Sequence, residues 1–434
     1  MDRFECWDAV EKRLNSLTSP ESLSGLVFVE KVFEELGDPS RFPAIHIAGT
    51  NGKGSTAACL DSMLRAAGYK TALYTSPHLT CLGERLLIDG QMLGGEKWLD
   101  ALERISVVLK KLPEVRLGYF QALTAAAFWL IEREKVDAAV IETGLGGRLD
   151  ATNMLRRPLL SVITPLGMDH MHLLGNSLSE IAAEKFGIVK PGGRALYCGG
   201  EAALNEQFRR RCAEVSAVGE IFSEHCRIAG VQTSLDGNRF IYASPRGTRR
   251  CFVRLAGLHQ PENASLALRA LEIISDKLPC DAAAMEKGLA EVSWPGRMEV
   301  MHRNPDVILD GAHNPHGTAA LIRSLKALYG DRPLSFVYTS MADKDYAASL
   351  ALYARAFPQA RLFCVELEGA PRCENAEILA RTAAAFPWKR EPLAVKDPRT
   401  ALKNAMALGN PVILCGSLYF IGTVRRRIKD DGWL

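Results

Sequence analysis

The chain has 434 residues, more than a single hydrophobic core usually supports and enough for two domains. Hydrophobic residues make up 47% of it and charged residues 24%, as in ordinary globular proteins, and a net charge of +3 does not indicate a nucleic-acid-binding protein. The 11 cysteines are odd in number and include no Cys-x-x-Cys pair, so we expect neither a zinc site nor a disulfide framework. We find no signal-peptide pattern and no apolar run of roughly 18 residues, and therefore expect a cytoplasmic protein without a membrane partner.

Short apolar runs alternate with stretches of helical periodicity through most of the chain. The runs that we predict as strands are residues 44–48, 71–75, 138–142, 160–164, 194–198, 307–309, 334–339, 361–365 and 412–415. Helical stretches such as residues 55–67 and 123–134 lie between them. Because the runs are almost continuously apolar, they are typical of parallel strands covered by helices on both faces. The sequence therefore predicts an α/β fold of the doubly wound type.

Two features interrupt this alternation. Residues 221–253 are polar and contain the turn signals Asp-Gly-Asn and Pro-Arg-Gly, which predict an antiparallel excursion. Further on, Trp-Pro-Gly-Arg at 294–297 ends a helical stretch and precedes a new strand pattern. We therefore predict an N-terminal domain of residues 1–295 and a C-terminal domain of residues 296–434.

The strongest functional signal is Ile-His-Ile-Ala-Gly-Thr-Asn-Gly-Lys-Gly-Ser-Thr at 45–56, an apolar strand followed by a glycine-rich turn and a helix. Phosphate binding needs this arrangement, because glycines let backbone N–H groups converge on the anion and the helix N-terminus adds positive potential. Lys53 adds a full charge. The spacing differs from the usual P-loop, since Gly49 and Gly52 are three residues apart and Gly54 separates the lysine from the following serine. The flanking strand and helix disfavour the alternative, an ordinary turn with a solvent-exposed lysine.

Later strands also end in polar side chains. Glu142 ends a predicted strand, and a carboxylate beside a P-loop is where an NTPase holds Mg²⁺; from this residue alone, a strand-end cap is an equal alternative. Asp169 and His170 follow the next strand and are placed to bind metal or phosphate. Lys185 lies on a helix that we predict at 179–189, where the residues alone favour an exposed lysine.

The second half repeats the pattern of strand, acid and polar turn. The carboxylate of Asp310 could contact a ribose or hold a nearby side chain, and His313 and His316 could bind an anionic substrate. From the residues alone, a turn-stabilising role is an equal alternative for this segment. Arg297 and the Gly-Ser-Leu-Tyr turn at 416–419 are weaker candidates.

Together these segments resemble the folylpolyglutamate synthase / dihydrofolate synthase family of Mur-ligase-like, ATP-dependent amide ligases. The motifs of this resemblance are Gly-Thr-Asn-Gly-Lys-Gly-Ser at 49–55, Thr-Ser-Pro-His-Leu at 75–79, Glu-Arg at 84–85, Glu-Thr-Gly-Leu-Gly-Gly-Arg-Leu-Asp-Ala-Thr-Asn at 142–153, Asp-His at 169–170, Glu-Lys-Phe-Gly-Ile at 184–188, His-Gln-Pro-Glu-Asn at 259–263, Pro-Gly-Arg at 295–297 and Asp-Gly-Ala-His-Asn-Pro-His at 310–316. The resemblance implies a P-loop NTPase-like N-terminal domain with a mostly parallel sheet, followed by a smaller, Rossmann-like α/β C-terminal domain that binds glutamate.

The resemblance also implies an activity and its site residues. The expected reaction is Mg-ATP-dependent joining of L-glutamate to dihydropteroate or a reduced folate through an acyl phosphate, giving ADP and phosphate. The implied nucleotide contacts are Asn51, Gly52, Lys53, Gly54, Ser55, Asn263, Arg297 and Asp310. The implied ligands of two magnesium ions are Ser76, Glu142, His170 and a carbamylated Lys185. Lys53, His170 and Lys185 are the implied catalytic residues. The implied acceptor contacts are Thr75, Pro77, His78, Phe120, Gln121, Arg148, Asp150 and Thr152, and the implied glutamate contacts are His313, His316 and Ser417.

The chain departs from the family pattern at Gln121, where the family usually has a glutamate after the phenylalanine. This difference bears on recognition of the pterin and hence on the choice of acceptor.

A sister ligase acting on a non-folate acceptor is the main alternative function. A P-loop switch protein is disfavoured, because the chain has no Asn-Lys-x-Asp motif for reading a base. We expect a monomer.

Overall fold

The computed structural model describes residues 3–19, 25–367, 369–370 and 372–434. The helices are α1 (Arg3–Ser16), α2 (Val27–Leu36), α3 (Lys53–Ala66), α4 (Gly95–Lys111), α5 (Tyr119–Glu134), α6 (Met171–Leu174), α7 (Leu178–Phe186), α8 (Ala202–Glu214), α9 (Phe222–His225), α10 (Gln260–Ile273), α11 (Ala282–Glu291), α12 (Pro315–Tyr329), α13 (Tyr346–Ala356), α14 (Ala376–Ala384), α15 (Pro398–Met406) and α16 (Leu418–Asp431). The strands are β1 (Ala44–Ala48), β2 (Thr71–Tyr74), β3 (Leu86–Ile88), β4 (Gln91–Met92), β5 (Ala138–Glu142), β6 (Leu160–Ile163), β7 (Arg194–Tyr197), β8 (Val218–Ile221), β9 (Arg227–Ser234), β10 (Gly237–Ser244), β11 (Gly247–Val253), β12 (Glu299–His302), β13 (Val307–Leu309), β14 (Ser335–Tyr338), β15 (Arg361–Cys364), β16 (Leu393–Ala394) and β17 (Val412–Cys415).

The larger sheet has eight strands in the order β4-β3-β2-β5-β1-β6-β7-β8. Strands β2, β5, β1, β6, β7 and β8 run parallel, and β3 and β4 add an antiparallel edge. Every residue of β1 and β5 is buried, which explains their continuous apolar runs. Because these six strands are parallel, the loops that follow β1, β2, β5 and β6 meet at one edge of the sheet.

Helices cover both faces of this sheet. One face packs against α1, α2, α4 and α5 in a core whose large side chains include Phe33, Tyr74, Trp98 and Phe128. Helix α3 packs against β2 and β5 and against α11. Two-sided coverage of a parallel sheet is the arrangement that the sequence predicts, and the α/β fold class is confirmed.

The polar excursion is a separate sheet with the strand order β11-β10-β9. Consecutive strands are joined by two-residue turns, so they run antiparallel, as predicted. The remaining sheet contains six strands in the order β12-β13-β17-β14-β15-β16, in which only β12 is antiparallel to its neighbour. Its core contains Phe336, Tyr338, Tyr353 and Phe357.

The described chain divides into two compact units. The first contains the residues up to Ala229 together with Ile241–Phe252 and Glu262–Val292, and the second contains Gly230–Phe240, Val253–Pro261 and Ser293–Leu434. The domain boundary between residues 295 and 296 stays a prediction. In the described part of the chain, every helix is too short or too polar to cross a membrane.

Candidate active site

The P-loop segment connects β1 to α3 and forms a cradle that only glycine allows. Gly52 is the N-cap residue of α3 with a φ of 86°, and a Cβ atom there would collide with Oδ1 of Asn263. Gly49 has a φ of 152°, and a Cβ atom there would collide with the side chain of Thr164. The turn therefore stays open toward the first backbone N–H groups of α3, which have no partner within the helix.

The loop after β6 holds the P-loop in place. The backbone N–H groups of Thr50 and Asn51 both donate to the carbonyl of Pro165, at 3.0 and 3.3 Å. The Thr164 hydroxyl donates to the carbonyl of Asn51 at 2.8 Å, and the Thr50 hydroxyl donates to the carbonyl of Gly167 at 3.0 Å. These bonds fix the shape of the turn before any anion binds.

A lysine, a carboxylate and a serine meet where β1, β5 and β2 end. Lys53 is the first residue of α3, and its Nζ lies 3.9 Å from Oε1 of Glu142 and 3.4 Å from the carbonyl of Thr50. Glu142 is only 4% exposed, and its other oxygen accepts the backbone N–H of Ser76 at 3.2 Å. Thr75, which is buried, lies between β2 and this serine. These predicted phosphate and metal residues are therefore brought together.

Lys185 is also directed at the P-loop. It is 4% exposed, and its Nζ donates to the carbonyl of Gly49 at 2.8 Å. The exposed position that the residues alone favour is therefore wrong, because α7 turns this lysine inward. Burial, with Lys53 as the second cause, lowers the pKa of Lys185 to about 7. In the loop after β6, His170 has a φ of 49°, and its Nε2 lies 3.8 Å from Oδ1 of Asp169.

The donor set at this edge suits magnesium and nucleotide phosphates. Oxygen ligands such as the Glu142 carboxylate and a serine hydroxyl are those that Mg²⁺ prefers. The hydroxyls of Thr56 and Thr143 are buried there without a hydrogen-bond partner among the described residues. Within the described ranges, no three His, Cys, Asp and Glu side chains form a group suited to a metal ion. Only two of the predicted magnesium ligands, Glu142 and His170, are residues of these four types. The absence of a three-residue group therefore does not test the predicted ligand set, which stays a prediction.

Two predicted acceptor contacts lie in the first turn of α5. The ring of Phe120 fills the space where a Cβ atom on Gly144 would lie, so it packs against the loop after β5. Oε1 of Gln121 accepts the N–H of Gly118 at 2.9 Å, and its Nε2 donates to the carbonyl of Gly25 at 2.8 Å. A glutamate could accept the first bond but could not donate the second. Gln121 therefore has a structural use that the family's usual residue cannot reproduce.

The predicted acceptor residues of the loop after β5 are largely engaged within the protein. Asp150 is buried and accepts the backbone N–H groups of Leu145 at 2.8 Å and Thr152 at 3.0 Å. The Thr152 hydroxyl donates to the same carboxylate, so the buried His46 ring donates its Nε2–H to that hydroxyl at 2.9 Å. Arg148 is exposed and forms an ion pair with a glutamate of α7 at 2.8 Å. A direct acceptor contact by these residues stays a prediction, and Asp150 and Thr152 also shape the loop.

The loop after β2 is shaped by Glu84 and Arg85. Glu84 accepts the backbone N–H groups of residues 79–80 at 2.7 and 3.0 Å. Arg85 donates its Nε–H to Nδ1 of His78 at 3.0 Å. The loop begins with a cis peptide bond before the exposed Pro77. Two adjacent residues of the chain thus hold the predicted acceptor loop at separate points.

The second unit has its own group of predicted residues at the ends of β13 and β17. Asp310 follows β13, is 5% exposed, and accepts the N–H groups of Met298 at 3.0 Å and Ala312 at 2.9 Å. Burial raises the pKa of Asp310, and the charge of Arg297 opposes this. The N–H of Gly416, after β17, donates to the carbonyl of Ala312 at 2.9 Å. The loops after the two strands are therefore bonded to each other.

The predicted glutamate contacts lie on these same loops. Nδ1–H of His313 donates to the carbonyl of Gly311 at 2.8 Å, which fixes the orientation of the ring. His316 lies in the first turn of α12, and burial, followed by the charge of Arg323, lowers its pKa. Ser417 is 2% exposed and precedes α16 without capping it through its side chain.

Comparison with known proteins identifies the family. The description "Mur ligase middle domain" matches residues 47–271, and "Mur ligase, glutamate ligase domain" matches residues 296–418. A Bacillus subtilis dihydrofolate synthase/folylpolyglutamate synthase is 32% identical, covering 93% of this chain and 95% of its own. The Escherichia coli protein of the same description is 33% identical, covering 95% and 93%. The chain belongs to the folylpolyglutamate synthase/dihydrofolate synthase family of Mur ligases.

Solved structures of this family share the whole fold. A Mycobacterium tuberculosis folylpolyglutamate synthase complexed with ADP superposes with a TM-score of 0.89 at 30% identity, covering 98% of both chains. An Escherichia coli FolC structure in complex with DHPP and ADP has a TM-score of 0.86 at 30% identity, also covering 98% of both. The expected family and fold are therefore confirmed.

Several residues of this family member stand out in the structure without a role predicted from the sequence. Glu84 and Arg85 form the Glu-Arg motif of the family resemblance, but the sequence predicted no role for either residue. His259 is partly buried, and desolvation together with the charge of Arg297 lowers its pKa to about 4. His46 occupies the middle of the fully buried strand β1, where a polar residue interrupts an apolar run. That interruption is the one sequence signal that could have drawn attention to His46.

Proposed function

We propose that this chain joins L-glutamate to a folate-type acceptor at the cost of ATP. The observation that supports it best is the P-loop cradle with Lys53, Glu142, Ser76 and the buried Lys185 around it. Family membership supports the choice of substrates, since relatives at about one-third identity are dihydrofolate and folylpolyglutamate synthases. The acceptor is dihydropteroate, a reduced folate, or both.

The reaction proceeds in two steps. A carboxylate oxygen of the acceptor attacks the γ-phosphorus of ATP, and the bond to the β,γ-bridging oxygen breaks, giving an acyl phosphate and ADP. The amine of glutamate then attacks the acyl carbon, loses a proton and expels phosphate, which leaves an amide. Lys53 and the N-terminus of α3 stabilise the charge on the transferred phosphoryl group. Asn51–Ser55 and Asn263 position the nucleotide, while Arg297 and Asp310 remain further nucleotide contacts of the proposal.

Two magnesium ions belong to this proposal. Ser76, Glu142 and His170 would hold them, and the metal would neutralise phosphate charge during transfer. Lys185 carries a carbamate in the active protein, because its buried amine has a lowered pKa and lies beside the P-loop. Formation of the carbamate replaces a buried cation by an anion that can bind metal.

The remaining predicted contacts complete the proposal. Thr75, Pro77, His78 and the Phe120 ring bind the acceptor, and His313, His316 and Ser417 bind glutamate. Asp150, Thr152 and Gln121 act mainly by holding the acceptor loops, as their hydrogen bonds indicate.

The first experiment measures ADP formation by the purified protein with Mg-ATP and glutamate, with dihydropteroate in one reaction and tetrahydrofolate in another. Activity with either acceptor, lost on replacing Lys53→Ala, supports the proposal and assigns the acceptor. A variant at an exposed lysine, Lys97→Ala, is the matched control and should retain activity. ADP binding without turnover on either acceptor would favour a sister Mur ligase acting on another acceptor.

A further inference from the structure

Among the residues that the structure describes, none places a carboxylate in an ion pair with the nearly buried guanidinium of Arg85. Arg85 is 8% exposed, and its Nε–H is donated to His78. Its guanidinium carbon lies 5.9 Å from the centre of the Tyr119 ring. Within the described ranges, its terminal nitrogens donate no hydrogen bond and join no ion pair. A guanidinium removed from water in this way normally has a carboxylate beside it, because desolvation of an unpaired charge is costly.

Two acids close to this group already accept other hydrogen bonds. The carboxylate of Glu11 accepts the hydroxyl of Tyr119 through both oxygens, at 3.1 and 2.9 Å. Glu84, next to Arg85 in the chain, accepts the N–H groups of residues 79–80 instead. The protein therefore supplies a fixed guanidinium and leaves its two terminal nitrogens for a ligand.

The hydrogen bond from Arg85 also fixes the tautomer of the His78 ring. A guanidinium can only donate, so Nδ1 of the imidazole is the acceptor and the proton lies on Nε2. His78 stands two residues after Ser76, and its Nε2–H is a second donor on the predicted acceptor loop.

We infer that Arg85 binds the carboxylate of the pteroate-type acceptor through its terminal nitrogens, with Nε2–H of His78 as an additional donor. This inference rests on the proposed function and extends it, since it assigns the recognition of the reacting carboxylate. Bidentate pairing of a guanidinium with a carboxylate is both strong and directional. The neighbouring Phe120 ring then offers an apolar surface to the flat part of the same molecule.

The test compares an acid with a neutral analogue. Binding of dihydropteroate and of its carboxamide is titrated on wild-type protein, Arg85→Gln, Arg85→Lys and the exposed control Arg104→Gln, each saturated with Mg-ADP. Arg85→Gln should weaken dihydropteroate binding roughly tenfold to a hundredfold, because a hydrogen-bonded ion pair is lost. Carboxamide binding, ADP binding and the thermal unfolding temperature should change little. Arg85→Lys should recover part of the affinity for the acid.

The outcomes separate the possible failures. An equal loss for the acid and the carboxamide would mean that Arg85 only shapes the loop, and the inference would be overturned. Unchanged dihydropteroate affinity in Arg85→Gln would overturn it as well, while the wild-type turnover would leave the proposed function intact. If wild-type protein bound ADP but neither folate acceptor, the proposed function would fail and this inference with it.

Discussion

Lys185 lies in an environment that its neighbours in the sequence do not suggest. A lysine near the end of a helix is usually exposed to solvent. Helix α7 instead directs Lys185 toward the carbonyl of Gly49. Which face of a helix is buried depends on distant strands, here β1 and its P-loop, and those contacts cannot be derived from residues 179–189 alone. Only the resemblance to a family indicated a functional lysine.

The carbamate that we propose on Lys185 leads to a spectroscopic prediction. In the neutral form the Nζ lone pair attacks the carbon of CO₂, and the nitrogen loses a proton to give an anionic carbamate. Wild-type protein equilibrated with ¹³C-bicarbonate should show a protein-bound carbamate resonance in ¹³C NMR, and Lys185→Arg should lack it. Lys190→Arg is the matched control, since Lys190 is a half-buried lysine whose pKa is also lowered, to about 8. A spectrum unchanged by Lys185→Arg would exclude the carbamate at this residue.

At the scale of elements, helix α10 is tied to three strands by a buried ionic network. Arg269 donates to Glu220 on β8 at 2.6 and 2.7 Å and to Glu272 at 3.0 Å. Glu272, whose side chain is 3% exposed, also accepts from Arg249 on β11 and from the Tyr242 hydroxyl on β10, both at 3.2 Å. The Glu272 carboxylate in particular depends on this arginine, because it is removed from water, whereas the Glu220 side chain is partly exposed.

Replacing Arg269→Met should therefore be strongly destabilising. The loss leaves the buried Glu272 with Arg249 as its remaining cation and removes the bidentate partner of Glu220, and removal of one partner from a buried ion pair costs about 3–5 kcal/mol. The exposed pair of Arg209 and Glu224 provides the control, and Arg209→Met should shift the unfolding midpoint much less, because exposed ion pairs contribute little to stability. Urea unfolding followed by tryptophan fluorescence measures both. Equal, small shifts of the two midpoints would mean that the network contributes no more than a surface pair.

The elements themselves were predictable where a single physical signal dominated. Strands β1 and β5 have the predicted bounds because both faces of each are buried and the residues are continuously apolar. Strand β8 was not predicted, since Ile221 is its only buried apolar residue and its other three residues are polar or exposed; the strand is defined by its pairing with β7. The loops show the same limit. Their glycines and acids were found in the sequence, but the hydrogen bonds of Glu84 and Asp150 that shape them depend on the folded backbone.

At the scale of the whole molecule, the cysteines provide a test of packing in both units. All 11 are free, as the absence of a Cys-x-x-Cys pattern led us to expect. Seven are buried, and four are partly accessible, namely Cys6, Cys81, Cys280 and Cys373. The thiolate is the reactive form, and burial raises the pKa of Cys59, Cys364 and Cys415 to about 12. Buried thiols are thus both shielded and protonated near neutral pH.

Titration of the native protein with a thiol-specific disulfide reagent should consequently reveal at most four rapidly reacting cysteines, and all 11 should react in denaturant. Mass mapping of the early products should find only the four accessible positions. A reducing agent should leave the thermal unfolding temperature unchanged, because no disulfide contributes to stability. Rapid labelling of Cys59 would mean that the first unit opens at α3, whereas rapid labelling of Cys364 or Cys415 would place the opening in the central strands of the second unit. Either result would contradict the packing of that unit without affecting the other.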